Sequence, residues 1–387
     1  MTLVDVFWAL LFSAIALAGV RISQQMFATW LSPLSIFLGI NSVSLLGYHL
    51  RQVEMNDVSL DTHLVVLAGF AAFTVGAVLA SDGKVVRSDD DHGRTLSTAG
   101  LGPFFYGTAF LSTVGWTIGA VILVGKFGLL GVARNIWLLQ ENFQQQFIGY
   151  LNLLGILVLP AFTIRALTGT RRFWDPLLAA SALFGLLLAG IKSYTVYSML
   201  AALLVWGALR PRAFKVRYML GGLAVLLAFF VIYTGQVDIF VTDNFIMQGA
   251  LEHAPALGRP WLYFTGPWPA MENIVQGTAP GPPLPGTATL QPLWKVLGDG
   301  LGLVPPIPTV LPFSRIGAGS FNVYSFIGEV YWDWKLPGVL VFCFLFGLVV
   351  TRLFLRARTL SYWGNVLVYG VVALLVKADD IGLRLSQ

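Results

Sequence analysis

Four basic residues stand in stretches of apolar and aromatic sequence, where a charge is costly: Arg134, Lys192, Arg259 and Arg315. Lys192 lies at the tip of a predicted hairpin between two spans, where a bare cation costs at least about 2.5–3.5 kcal/mol, so it must reach the interface or face an anion. Arginine offers a rigid fork of N–H donors that matches phosphate oxygens in pairs. Together the four predict a site for a lipid-linked phosphate or diphosphate. Taken singly, an interfacial anchor or a cation–π partner explains each about as well.

Proton transfer needs a different set of side chains, and the candidates are His253, Glu272 and Glu329. A histidine titrates near neutrality unaided, whereas a carboxylate needs burial to raise its pKa. The sequence does not rank the three. Glu329 and Asp333 are four residues apart and share a helix face, and interfacial anchoring or a hydrogen bond to an Arg or Tyr explains them as well as catalysis does.

Other polar residues have simpler explanations. The acidic triplet at 89–91 contains Asp-x-Asp, a pattern of metal–nucleotide sites, but without a surrounding soluble domain a solvated run is favoured. The single cysteine, Cys343, excludes an intramolecular disulfide and a cysteine metal cluster. With no dense set of ligands we expect neither metal nor cofactor. Three histidines are predicted to be lone residues without a function: His49, His63 and His92.

The composition decides which class of protein holds these residues. Of 387 residues, 56% are hydrophobic and only 11% are charged, whereas a soluble domain carries about 25% charged residues. This excludes a cytosolic enzyme, a disordered protein and a nucleic-acid binder. The sequence therefore predicts an all-α polytopic membrane protein.

Ten apolar runs are long enough, or nearly so, to cross a bilayer. They lie near 3–20, 30–50, 63–81, 104–125, 148–167, 173–190, 194–209, 218–234, 322–351 and 360–377. The first is read as an uncleaved span, because residues 1–6 contain no Lys or Arg. With alternating spans, one face nets about +9 and the other about −4, as the positive-inside rule requires. Both termini are then predicted to lie outside.

The run of spans is interrupted by residues 235–319, which hold thirteen of the nineteen prolines. We divide the chain into a membrane bundle of eight spans (1–234), a large extracytoplasmic loop (235–319) and a two-span segment (320–387). Proline breaks helices and sheets, so the loop is predicted to lie on the bilayer surface. Short interfacial helices are expected at about 245–255 and 267–276. Flat faces for sugar rings are expected from four aromatic residues: Trp261, Tyr263, Trp268 and Tyr324.

The stretch 315–338, RIGAGSFNVYSFIGEVYWDWKLPG, resembles the oligosaccharide repeat-unit polymerases, the Wzy-type O-antigen polymerase family. Lys335 stands where that family usually has Gly. The turn at 190–193, with Lys192, and the segment 263–273 are also similar to blocks of the family. The positions that match the family's motif are Asn322, Tyr324, Ser325, Asp333 and Gly338.

The resemblance implies a GT-C-like membrane glycosyltransferase of the bacterial inner membrane. It would join undecaprenyl-diphosphate-linked oligosaccharides on the periplasmic side, with a chain-length regulating co-polymerase and a flippase as partners. Arg134, Lys192 and Arg315, with Arg259, are then expected to hold the diphosphate. Further substrate contacts are expected from Tyr263, Asn322, Tyr324 and Asp333. Three alternatives stay open: an O-antigen ligase, a transporter or flippase of lipid-linked sugars, and a structural membrane scaffold.

Overall fold

The computed structural model describes residues 2–81, 96–134, 151–188, 192–210, 221–222, 224, 245–295, 297–298, 302–305, 312–321, 323–359 and 362–375. This part of the chain is mostly helical, and four of its helices are long and apolar enough to cross a membrane: Leu3–Phe27, Leu60–Ala80, Leu101–Gly128 and Phe326–Thr359. A helical, membrane-type protein is therefore confirmed. The count of ten crossings and the GT-C fold stay predictions.

The helices, numbered along the chain, are α1 Leu3–Phe27, α2 Pro33–His49, α3 Leu60–Ala80, α4 Leu101–Arg134, α5 Gly155–Leu167, α6 Asp175–Leu188, α7 Lys192–Leu209, α8 Gly258–Thr265, α9 Pro267–Val275, α10 Gln291–Lys295, α11 Phe326–Thr359 and α12 Trp363–Leu375. A short antiparallel hairpin pairs β1 Ser314–Ile316 with β2 Gly319–Phe321. Helices occupy nine of the ten predicted apolar runs. Most of the eighth, 218–234, lies outside the described residues.

The first three helices begin where the sequence supplies a cap. Thr2 and Asp5 form a reciprocal capping box at the start of α1. Ser32 caps α2 and is followed by Pro33 at the first helical position, where a missing N–H costs nothing. Ser59 accepts a hydrogen bond from the N–H of Thr62 at the start of α3. These caps fix the chain direction at each entry into the apolar layer.

Helix α1 packs along α2, and α3 packs along α11, while α4 to α7 and α12 form the rest of the bundle. The α3–α11 contact is close because glycines face it from both sides. A Cβ added at Gly76 would overlap the carbonyl oxygen of Phe344, and one at Gly347 would overlap that of Phe73. Small residues that let helix backbones approach in this way are typical of membrane bundles.

The two ends of the helix bundle are covered by different parts of the chain. At the end called here the loop end, α1, α3 and α11 begin, α2 ends, and the segment 245–321 packs on them. At the end called here the opposite end, Arg358 donates to the carbonyl of Phe27, the last residue of α1. There the indole of Trp363 also donates to the carbonyl of Ala99 at 2.8 Å.

The proline-rich segment differs from its prediction in one respect. The helix expected at 267–276 is present as α9, but it is buried between α3, α11 and β1 instead of lying on a surface. Trp268 is only 1% exposed, and its indole N–H donates to Ser44 at 2.7 Å. Its ring has no face open to a sugar, so that part of the prediction is wrong. The helix is buried because most of its residues are apolar, while its buried polar residue, Glu272, has hydrogen-bond partners.

Helix α11 is broken at Lys335, whose φ of 56° and ψ of −159° are not helical. This backbone conformation is essentially a glycine conformation, and glycine is the residue that the family resemblance leads one to expect here. The Lys335 ammonium lies 5.5 Å from the centre of the Tyr331 ring. Lys335 therefore divides α11 into two helical parts.

Candidate functional site at the loop end

The hairpin that carries Arg315 is held on both sides by amide side chains. Asn56, in the connection between α2 and α3, donates to the Arg315 carbonyl at 2.9 Å, and Asn273 of α9 donates to the same oxygen at 2.9 Å. Asn56 also accepts from the N–H of Gly317 at 2.9 Å. Gly317 supplies the positive φ of 74° that the turn requires. The backbone of Arg315 is thus held in place by side chains from two other parts of the chain.

The Arg315 side chain itself points outward and is exposed. Its Nε lies 3.4 Å from the Gly317 carbonyl, a weak hydrogen bond. In the described part of the chain, the ion pairs between side chains involve Asp5, Asp57 and Asp175, and none of them includes Arg315. Its guanidinium therefore keeps donors available for an anion from solvent.

The other predicted phosphate ligands are placed by their backbones only. Arg134 ends α4, Lys192 begins α7, and Arg259 is the second residue of α8. Their side chains lie outside the described residues, as does the whole of Asn322. The convergence of four cations therefore stays a prediction.

Glu272 attaches α9 to the start of α3. Its Oε2 accepts from the N–H of Ser59 at 2.9 Å, from the Ser59 hydroxyl at 2.8 Å and from the Thr62 hydroxyl at 2.6 Å. The residue is buried. This carboxylate acts as a helix cap from a distant element, which favours an anchoring role. Proton transfer by Glu272 stays a prediction.

Asp333 and its two tryptophan neighbours anchor the proline-rich segment to α11. The Asp333 Oδ2 accepts from the N–H of Ala288 at 3.0 Å and of Thr289 at 2.7 Å. The Trp334 indole donates to the Thr289 hydroxyl at 3.0 Å, and the Trp332 indole donates to a backbone carbonyl of the same segment at 2.7 Å. Asp333 thus holds protein backbone, which favours the structural explanation over the predicted substrate contact.

The remaining two proton-transfer candidates lie on different elements. His253 is exposed and ends the 3-10 helix Gly249–His253. Glu329 is buried in the first turn of α11. With Glu272 on α9, the three candidates are carried by three elements of the loop end, and their roles stay predictions.

Tyr324 is buried within the protein, with 1% of its surface exposed. Its hydroxyl donates to the Pro312 carbonyl at 2.6 Å and lies 2.6 Å from the Ser314 hydroxyl. Burial raises the pKa of Tyr324 to about 12. The ring has no open face, which contradicts its predicted use as a platform for a sugar. Tyr263 is half-buried, with its ring 5.8 Å from that of Phe321.

A polar cluster at the loop end was not predicted from the sequence. This loop-end cluster consists of Asp5, His49, Arg51 and His63, and its two histidines are 2% and 1% exposed. The Nε2 atoms of His49 and His63 lie 3.1 Å apart, and His49 Nδ1 lies 3.1 Å from Asp5 Oδ1. Arg51 Nη2 is 2.9 Å from the same carboxylate oxygen. The prediction of lone histidines is therefore wrong for this pair.

A signal for this cluster was present in the chain order. Asp5 lies at the start of the first predicted span, His49 at the end of the second and His63 at the start of the third. With alternating spans, all three fall at the same end of the bundle. Neither histidine has the other near it in sequence, and their proximity follows only when the span ends are compared.

A second buried cluster lies at the opposite end. Arg165 Nε donates to Asp175 Oδ2 at 2.8 Å, and the Tyr106 hydroxyl donates to Asp175 Oδ1 at 2.8 Å. The backbone N–H of Arg172 donates to Asp175 Oδ2 at 2.8 Å, and Arg165 Nη2 donates to the Thr170 carbonyl at 2.8 Å. This opposite-end cluster, Tyr106, Arg165 and Asp175, has partners for each of its charges.

Within the residues that the structure describes, no three His, Cys, Asp or Glu side chains come together as a metal site would require. Comparison of the chain with protein-family models, with curated proteins and with solved structures finds no match.

Proposed function

We propose that this protein is a membrane-embedded glycosyltransferase that joins undecaprenyl-diphosphate-linked oligosaccharide repeat units into a longer surface polysaccharide. The motif at 315–338 supports this, and one structural observation carries it. Arg315 stands on a backbone clamped by Asn56 and Asn273, while its guanidinium is exposed and has no carboxylate partner in the described part of the chain. A fixed backbone that presents an exposed guanidinium suits the binding of a diphosphate.

In this reaction the largest contribution to the rate is expected from the group that binds the leaving diphosphate. An acceptor hydroxyl oxygen attacks C1 of the donor sugar, the C1–O bond to the diphosphate breaks, and the diphosphate gains negative charge. Preorganised donors aimed at such a charge contribute about 3–4 kcal/mol, or about 10²- to 10³-fold in rate. Because the Arg315 backbone is already fixed, binding has to order only the side chain.

The acceptor hydroxyl loses its proton to a base, which contributes about 10²- to 10⁴-fold. His253, Glu272 and Glu329 are the candidates, and each lies on the loop-end elements. Arg134, Lys192 and Arg259 are proposed as further diphosphate ligands. The reaction face is proposed to be periplasmic, in a bacterial inner membrane, with a chain-length regulating co-polymerase as partner.

The test supplies the purified, bilayer-reconstituted protein with undecaprenyl-diphosphate-linked repeats alone. A ladder of product lengths is expected, and Arg315→Ala should slow its formation about 100-fold. Arg352→Ala is the matched control, because Arg352 is an exposed arginine near the opposite end of α11. It should leave the rate unchanged.

Each other outcome rejects part of the proposal. Product that forms only after lipid A core is added identifies a ligase. Movement of the lipid-linked sugar across the bilayer, with glycan length unaffected by Arg315→Ala, identifies a transporter. A ladder that both arginine variants form at the wild-type rate removes Arg315 from the site.

A further inference from the structure

The loop-end cluster contains a chain of hydrogen bonds that is closed at both ends by acceptors. His49 Nδ1 lies 3.1 Å from Asp5 Oδ1, and His49 Nε2 lies 3.1 Å from His63 Nε2. His63 Nδ1 lies 2.7 Å from the Ser59 carbonyl oxygen. A backbone carbonyl and an ionised carboxylate only accept hydrogen bonds. If both end groups only accept, the hydrogens of all three bonds must be carried by the two imidazole rings that lie between them.

Counting those hydrogens shows that one proton is in excess. Three hydrogen bonds need three hydrogens, and two neutral imidazoles carry one N–H each. His63 Nδ1 must donate to Ser59, so one hydrogen must lie between the two Nε2 atoms and a third between His49 and Asp5. The third proton belongs either to the histidine pair or to the carboxyl group of Asp5.

The other contacts of Asp5 decide between these two places. Its Oδ2 accepts from the N–H and the hydroxyl of Thr2, both at 2.9 Å. Its Oδ1 accepts from Arg51 Nε at 3.1 Å, with Arg51 Nη2 at 2.9 Å. Donors that surround both oxygens, one of them a guanidinium, stabilise a carboxylate over a carboxylic acid. The excess proton therefore belongs to the imidazoles.

Two features of the surroundings offset part of the cost of burying a positive charge on the pair. The Trp8 ring is stacked on His63 with its centre 3.9 Å away, and the face of an indole attracts a cation. The charges of Asp5 and Asp57 are balanced by Arg51 and by one proton on the pair. At the loop end of α1, α2, α3 and α9 and in the α2–α3 connection, the described charged and titratable groups are Asp5, Tyr48, Arg51, Glu54, Asp57, Asp61 and Glu272, of which Glu54 is exposed.

We propose that His49 and His63 form a buried proton-binding site that holds one proton between them. The inference is independent of the proposed glycosyl transfer. Without the proton, two bare Nε2 lone pairs would face each other at 3.1 Å, so the contact would open. Ser59, the end of this chain, also donates twice to Glu272. The proton therefore links the ends of α2 and α3 to the position of α9.

The test is nitrogen-15 magnetic resonance of the full-length protein in lipid, labelled at histidine, at neutral pH. In the wild-type protein the pair is identified by a through-space contact between ring nitrogens, so no variant is needed for the assignment. We expect three of the four ring nitrogens to carry a proton. Two protonated nitrogens, one on each ring, would overturn the proposal.

Two carboxylate variants then test what retains the proton. Asp5→Asn removes the anion that contacts the pair and should lower the count from three protonated nitrogens to two. Asp57→Asn is the matched control: Asp57 contacts Arg51 at 2.7 Å but is exposed, and in the described contacts does not bond to the rings. It should leave the count at three. Equal counts in the two variants would contradict the role of Asp5.

Discussion

At the opposite end of the bundle, Asp175 meets a guanidinium, a phenol and a backbone N–H, whereas at the loop end Asp5 meets a guanidinium and a histidine pair. Both carboxylates are buried. The hydrogen bonds around Asp175 can all form with every group in its ordinary protonation state. The hydrogen bonds that join Asp5 to the two histidines can all form only with an additional proton.

The two buried carboxylates therefore differ in whether their positively charged partner can lose its charge. A guanidinium stays charged throughout the accessible pH range, so the opposite-end cluster is a permanent connection. Imidazole, unlike guanidinium, can gain or lose a proton, so the connection at the loop end depends on whether the histidine pair holds one. We therefore expect the two ends to differ most in how their contribution to stability responds to pH.

The largest expected effect belongs to the permanent connection. Arg165→Ala leaves Asp175 buried without its cation, and the free energy of unfolding should fall by about 3 kcal/mol, the lower end of the usual range because the cluster lies at an end of the bundle. Arg171→Ala, at an exposed arginine nearby, is the control and should have little effect. Unfolding in detergent at mildly acid and mildly alkaline pH measures both. A fall in the free energy of unfolding that varies strongly with pH would contradict the expectation that the opposite-end cluster is a permanent connection.

The next effect tests pH sensitivity at the loop end through Tyr324, whose pKa is raised from 10.0 to about 12 by burial. A raised folded-state pKa gives stability that is complete below pH 10.0 and is lost as the pH rises toward about 12. Tyr324→Phe should remove this alkaline loss and cost about 1 kcal/mol at neutral pH through its lost hydrogen bonds. Unfolding followed against pH measures both effects.

The control for this prediction is Tyr362→Phe. Tyr362 is an exposed tyrosine near the opposite end, with 49% of its surface accessible. The variant should keep the wild-type profile. An alkaline loss of the same size in Tyr324→Phe and in the wild type would show that other groups produce it.

The smallest effect compares the two halves of α11. Lys335→Gly relieves a backbone conformation that costs a non-glycine residue about 1–3 kcal/mol, so it should stabilise the protein by about 1 kcal/mol. Arg352→Gly, at an exposed and helical position of the same helix, should instead destabilise it by about 1 kcal/mol. Parallel thermal unfolding of the two variants gives the comparison. Two changes of the same sign would contradict it.

The apolar runs predicted the helices well because helices of this length need little beyond continuous apolar sequence and a cap. The proline-rich segment was harder to interpret. Proline was treated there as a breaker, yet Pro267 stands at the first turn of α9, where its missing N–H has no partner to lose. Burial of α9 depends on α3 and α11, and its own sequence does not reveal them.

The candidate site was predictable as a set of residue types and much less as a set of contacts. Arg315 was chosen from the sequence, but the clamp from Asn56 joins residues 259 positions apart. Nothing local marks such a pair. Asp333 is predicted from the family motif, and Tyr324 from the motif and from its flat ring, whereas the structure shows both bonded to protein groups. Residue type suggests a chemistry, while burial decides whether a ligand can reach it.

The glycine contact between Gly76 and Gly347 has a mechanical consequence. Because the backbones of α3 and α11 are in close contact at these glycines, the distance between the two helices is fixed at this point, away from the loop end. A displacement that separates the two helices at the loop end must tilt them about this point, since sliding would bring side chains, in place of the glycines, against the carbonyl groups of Phe73 and Phe344. A methyl group at residue 76 would push the two helices apart at this contact, and the separation that a tilt produces would grow with distance toward the segment that carries Arg315.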